Sequence, residues 1–401
     1  MSTAEAGPVR TARRAVRVAC GLLLALLLAA CQQDSPPAAK MTSPPTAGAT
    51  TPGASGSASP AVTGSSTPAS VSSTASSGTA SSGTATAGHS PTRGGRRVVP
   101  AGLTELVPGH NRVDADRINL VFAGWGWPDT KRLRATALLD LGWDGHVHLV
   151  DRAGQIAADG TEPIIGIFGI EPWRSHRDTF NVWLTDRSPA KPNSWLDVDP
   201  SQQVGDLPDL AIVTLAYDSG IRSVSGSTSN FFLPDFPSKP MLRRTDDQPF
   251  AGVLVDVSSK NPSGSAVVAA HELGHALFGL NDEYIGVDKA DTTKHPDQWP
   301  ACAASEKSAR AWWGKLIGRY DPMVDIWAEE LALVGQPLAP GRLDFTRDET
   351  RVTLVPGGCF GTKGSFRPTQ DSLMMHNLPA LGLVNTAWAN RILALWHGTA
   401  G

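Results

Sequence analysis

The 401-residue sequence predicts a mixed α/β fold of the α+β kind. A sheet-based lobe over residues 98–282 is followed by a smaller, irregular and helical lobe over 283–401, with a cleft between them. Three observations predict it. Apolar runs of strand length alternate with helical spacing up to residue 278. All 12 Trp, 11 Phe and 3 Tyr lie beyond residue 97, so only 98–401 has the material for a large core. Past residue 282 the chain is Trp-rich and irregular, with helical spacing as its main regular signal.

The elements follow in chain order. Arg10, Arg13, Arg14 and Arg17 precede an apolar run from Val18 to Ala30. This is the pattern of an export signal over 1–30, too short to cross about 30 Å of hydrocarbon comfortably. Its end, Leu28-Ala29-Ala30-Cys31, resembles the lipobox of bacterial lipoproteins, which implies cleavage before Cys31 and a lipid on its thiol. Residues 32–97 are almost wholly Ser, Thr, Ala, Pro and Gly. Such a tract cannot bury a core and reads as a solvated, disordered tether with an r.m.s. reach of roughly 45 Å. The expectation is an extracytoplasmic head, 98–401, anchored to the bacterial membrane through Cys31.

Within the head, strands are expected at Ile118–Ala123, Pro163–Ile170, Phe180–Leu184, Leu210–Ala216 and Ala251–Val257. Lys131–Leu141 has helical spacing in Leu133, Ala137, Leu138 and Leu141. Gly220–Asn230 is a Gly/Ser-rich loop, and Asp218 with it either lines the cleft or belongs to a plain surface loop. A helix runs from about Gly264 to Phe278, stopped by Gly279. Helical signals return at Ser305–Leu316, Asp321–Leu333 and Leu383–Trp396. Trp299, Trp312 and Trp313 read as core of the second lobe rather than as a carbohydrate platform.

Charge and cysteine usage narrow the function. A net charge of −3 provides no basic field for nucleic acid. Cys20 leaves with the signal and Cys31 takes lipid; Cys302 and Cys359 remain. In an oxidising compartment they form either a disulfide or two buried thiols. The folded part has no G-x-S-x-G and no phosphate-loop pattern.

The chemistry concentrates in His271-Glu272-Leu273-Gly274-His275, the H-E-x-x-H pattern. Residues i and i+4 of a helix stack on one face, so both imidazoles address one ion. Glu272 then stands beside the ion's open side, where a general base for water is needed. Gly279 lets the chain turn back, which makes Asp282 the candidate third ligand and Glu283 its rival. Tyr284 either hydrogen-bonds a developing oxyanion or packs. Met374-Met375-His376 reads as core methionines with a satisfied His, or places His376 behind the ligands.

The stretch HELGHALFGLNDEY resembles the active-site segment of the IgA-peptidase-like zinc metallopeptidases, relatives of the metzincins. Phe168-Gly169-Ile170-Glu171-Pro172 with Phe180-Asn181-Val182-Trp183, and Arg367-Pro368 through Met374, resemble that family's flanking segments. The likeness covers roughly Arg112 to Trp396. It implies a zincin-like fold, one catalytic Zn2+ and Met374 as the Met-turn residue beneath it. Two departures stand out: Ser372 lies where a nearby Cys is expected, and Gly124-Trp125-Gly126-Trp127 replaces an acidic-Gly-aromatic signature. The expected function is a monomeric zinc endopeptidase that cleaves protein or peptide substrates by zinc-activated water, with Glu272 as base. The alternatives are a non-catalytic surface-binding protein on the same scaffold and a zinc amidase acting on cell-wall peptides.

Overall fold

A strand buried on both faces needs apolar residues without alternation, and four runs of that kind form the middle of one sheet. The computed structural model describes residues 101–396 except 113–116, 152–154, 158, 186, 188–203, 205–206, 208–209, 228–249, 260–263, 286–295 and 337–345. The expected signal, Cys31 and the tether lie outside the described residues. The sheet opens with β1 (Leu103–Glu105), β2 (Ile118–Trp125) and, after a small separate hairpin of β3 (His148–Val150) and β4 (Glu162–Ile164), β5 (Phe180–Thr185). It continues through β6 (Leu210–Tyr217), β7 (Val224–Ser227) and β8 (Phe250–Val257), in the order β1-β5-β2-β6-β8-β7. β5, β2, β6 and β8 are mutually parallel. β1 and β7 close the two edges antiparallel.

Two expected elements differ. Pro163–Ile170 is not one strand: β4 ends at Ile164 and Ile167–Gly169 is a turn of 3-10 helix. Ile165, Ile167, Phe168 and Ile170 are all buried, so the run has no periodicity to distinguish strand from helix. The expected loop at Gly220–Asn230 contains β7, held by backbone pairing from Val224↔Leu254 to Ser227↔Ala251. An edge strand of Ser and Gly needs no apolar face, so its composition conceals it. Residues 228–230 lie outside the described residues.

Helices cover the sheet. α1 (Thr130–Leu141) starts at Asp129, whose side chain accepts from the Arg132 amide, and stops at Gly142 in the left-handed region. α2 (Ser265–Phe278) packs against β8 and β7. The later elements are α3 (Glu306–Trp313), α4 (Met323–Leu333), the hairpin of β9 (Val355–Gly358) and β10 (Gly361–Arg367), the single turn α5 (Leu373–His376), and α6 (Leu383–Trp396). In β2, Leu120 and Phe122 enter the main core, while Val121 and Ala123 join a second cluster with Trp183 and Ile212 on the opposite face. The main core continues through Leu273 and Leu277 of α2 to Trp327 of α4 and Trp388 and Ile392 of α6. The sheet and the C-terminal helices therefore share one apolar interior, and α2 runs through it. Trp313 is buried in a smaller cluster with Val352 and Val384, its indole donating to the Pro300 carbonyl.

Candidate metal centre

α2 is rich in Ala, Val and Leu, and ten of its fourteen residues are buried. Its end is set by Gly279 at φ 63, whose amide reaches the His275 carbonyl at 2.9 Å while that of Leu280 reaches Gly274. This Schellman-like closure reverses the chain within three residues of the helix. Asp282 is thereby brought back over the face that carries His271 and His275.

The three side chains converge. His271 Nε2 lies 3.0 Å from His275 Nε2, and Asp282 Oδ1 lies 3.1 Å and 3.3 Å from them. Ligand atoms held about 2.0–2.1 Å from a tetrahedral zinc stand about 3.3–3.4 Å apart, so the observed separations suit a single small ion. Donor chemistry agrees with the distances. Nδ1 of His271 is 2.9 Å from the Leu373 carbonyl, and Nδ1 of His275 is 2.7 Å from the Leu280 carbonyl. A carbonyl only accepts, so each Nδ1 carries the proton and each Nε2 keeps its lone pair for a metal. Asp282 Oδ1 is buried and faces both Nε2 atoms. Three electron-rich atoms facing one another require a positive charge among them.

The side chains alone show that requirement. Burial disfavours charge on His275, but Asp282 and Glu272 outweigh it and hold its pKa at about 9. Burial likewise disfavours the Asp282 carboxylate, yet the two imidazoles hold it well below the usual carboxylate range. Among the described residues, this is the only group of three or more His, Cys, Asp or Glu arranged to hold a metal ion.

Around the cluster, the structure separates the candidates. Glu272 is buried on the same turn as His271, and its Oε2 accepts from Ser225 Oγ of β7 at 2.6 Å. Glu283 points away: it is fully buried and accepts from Asn385 Nδ2 of α6 at 2.6 Å, and its pKa is pushed up to about 7, chiefly by burial. Its amide donates to the Met374 carbonyl at 2.9 Å, so it anchors the segment that presents Asp282. Tyr284 returns to the side of Asp282, where burial and then the Asp282 carboxylate raise its pKa.

Met374 is fully buried beneath α2, and a Cβ on Gly274 would stand only 3.1 Å from its Sδ. Gly274 thus permits the close approach. His376 is outside the cluster, mostly exposed and 3.0 Å from Asp371. Asp218 is a turn residue at φ 45 that accepts from the Ser259 amide at 2.7 Å. Cys302 and Cys359 are joined in a disulfide. Sequence reasoning did not find Ser225 or the Leu280 and Leu373 carbonyls. The carbonyls leave no mark on residue identity, and Ser225 had only the signal of a Gly/Ser-rich stretch.

No protein-family model and no curated protein matches this chain.

Proposed function

We propose that the protein is an extracytoplasmic zinc-dependent endopeptidase with a zincin-like fold, held at the cell surface by lipid on Cys31. The observation that carries the reading is the convergence of His271 Nε2, His275 Nε2 and Asp282 Oδ1 beside Glu272. The likeness of HELGHALFGLNDEY and its flanking segments to the IgA-peptidase-like zinc metallopeptidases supports it. The Arg-rich, then apolar, N-terminus ending in Leu28-Ala29-Ala30-Cys31 supports the location.

In this reading His271, His275 and Asp282 hold the ion. Zinc, when bound, acidifies water and polarises a carbonyl as a Lewis acid. Glu272 takes the proton from the attacking water and delivers it to the nitrogen of the leaving amine. The carbonyls of Leu280 and Leu373 keep both imidazoles in the tautomer that leaves Nε2 free.

The test uses the full-length protein, analysed for metal and incubated with a protein mixture and with cell-wall muropeptides, with and without chelator. Chelator-sensitive cleavage of proteins is expected, with Glu272→Gln retaining zinc and losing cleavage. Undiminished turnover by Glu272→Gln refutes the mechanism. Cleavage of muropeptides alone identifies an amidase, and zinc binding without cleavage of either identifies a surface-binding protein.

A further inference from the structure

The Ser225 hydroxyl is the contact that the sequence did not reveal and the proton-transfer scheme does not yet use. β7 is the last strand of the sheet among the described residues, and its pairing with β8 sets Ser225 opposite Val253. Successive side chains of a pleated strand face opposite ways, and Ser225 is turned to α2, against which β7 packs. Its Oγ stands 2.6 Å from Glu272 Oε2, the short range expected of a hydroxyl donating to a carboxylate. Ser223, two residues earlier, accepts from the Asp256 amide of β8 at 3.1 Å, which ties the start of the strand to its neighbour. The hydroxyl therefore comes from a strand whose backbone is held by its pairing with β8.

We infer that Ser225 is a positioning residue for the general base: by engaging Oε2 it fixes the plane of the Glu272 carboxylate and leaves Oε1 to meet water. The physical need is specific. The terminal torsion of Glu is broad and nearly two-fold, so helix packing places the carboxylate without fixing its plane. A misplacement on the scale of 1 Å costs a catalytic group on the order of 100-fold in rate. The hydroxyl also suits both states of the proton cycle. It donates to Oε2 while Glu272 is ionised and keeps donating once the proton from water sits on Oε1, because Oε2 remains an acceptor. When that proton passes to the leaving amine nitrogen, the hydrogen bond has been kept throughout, with no net change at Ser225.

The inference rests on the peptidase reading and is tested separately from it. Full-length Ser225→Ala, Ser225→Thr, Glu272→Gln and the Ser225→Ala/Glu272→Gln double variant are compared for kcat, KM and zinc content on one cleaved peptide. Ser225→Ala is expected to lower kcat roughly 10- to 100-fold with KM and zinc content within about twofold. Ser225→Thr, which keeps a hydroxyl and suits a strand, is expected to recover most of the loss. In the Glu272→Gln background Ser225→Ala is expected to add nothing, because residues acting as one unit are not additive. An unchanged or raised kcat in Ser225→Ala overturns the inference. So does a loss confined to KM, a loss of the same factor in the Glu272→Gln background, or failure of Ser225→Thr to recover while it folds and binds zinc normally. Each of these leaves the peptidase standing. A wild-type protein without chelator-sensitive cleavage removes the peptidase and this inference together.

Discussion

Removing the Cys302–Cys359 disulfide by Cys302→Ala/Cys359→Ala is expected to destabilise the fold without dismantling the His271–His275–Asp282 cluster. The cross-link closes a loop with a sequence separation of 57. In the chain-entropy account, freeing a loop of that length returns about 14 cal/mol/K to the unfolded ensemble, or about 4 kcal/mol at 25 °C. The folded state loses less. The β9–β10 hairpin keeps its own pairing, Ser365 Oγ still donates to the Gly358 carbonyl at 2.8 Å, and Arg367 Nη1 to that of Gly357 at 3.1 Å. The Phe360 amide still reaches the Tyr284 carbonyl at 2.9 Å. Urea unfolding of both proteins in excess chelator isolates the term, because a ligand that binds only the folded state would otherwise add its own stabilisation. A loss of about 4 kcal/mol is expected, with zinc affinity, read against a chromophoric competitor, reduced less than about tenfold. A loss below about 1 kcal/mol refutes the loop argument. A 100-fold fall in zinc affinity refutes the claim that the hairpin holds residues 283–284 without the bond.

Two further predictions test the third ligand and the support of α2. Asp282→Asn is expected to lower zinc affinity by at least about 100-fold, whereas Glu283→Gln should change it less than about tenfold; the reverse ranking, measured by the same competition, would exchange their roles. Asp140 of α1 is fully buried, accepts from Ser265 Oγ at the start of α2 at 2.7 Å, and has its pKa raised to about 7 by burial, which outweighs that hydrogen bond. Its folded pKa exceeds the unfolded 3.8, so stability is highest below pH 4, falls as pH rises to about 7, and then levels. The deficit has a ceiling of roughly 4 kcal/mol. Asp140→Asn should therefore gain stability relative to wild type at pH 8 compared with pH 4.5, measured by urea unfolding. An equal difference at both pH values would show that Asp140 is ionised in the fold throughout.

What was legible in the sequence was what local geometry determines. The i, i+4 spacing of His271 and His275 specifies one helical face without knowledge of the fold, and Gly279 specifies where that helix stops. The four parallel strands were legible because burial on both faces demands unbroken apolar runs. β7 was hidden for the converse reason: an edge strand stabilised by backbone pairing needs no apolar run to mark it. The contacts that orient the site were hidden by distance along the chain. The Leu373 carbonyl lies 102 residues from His271, and Ser225 lies 47 from Glu272. Only the folded sheet and the turn at α5 bring them together.

The choice between Asp282 and Glu283 shows how a fold resolves what spacing leaves open. Both carboxylates follow the reversal at Gly279, and a count of residues cannot separate them. The segment 282–284 instead bridges two other parts of the chain through its backbone: the Glu283 amide binds the Met374 carbonyl, and the Tyr284 carbonyl accepts from the Phe360 amide. Asp282 and Tyr284 lie on the side of the two imidazoles, while Glu283 faces Asn385 in the interior. Burial pushes the pKa of Glu283 up to about 7, whereas the two imidazoles hold Asp282 well below the usual carboxylate range. A metal ligand must be ionised. Side-chain direction and charge both favour Asp282 as third ligand of the proposed zinc site, and Glu283 is the carboxylate that fastens its segment to the core.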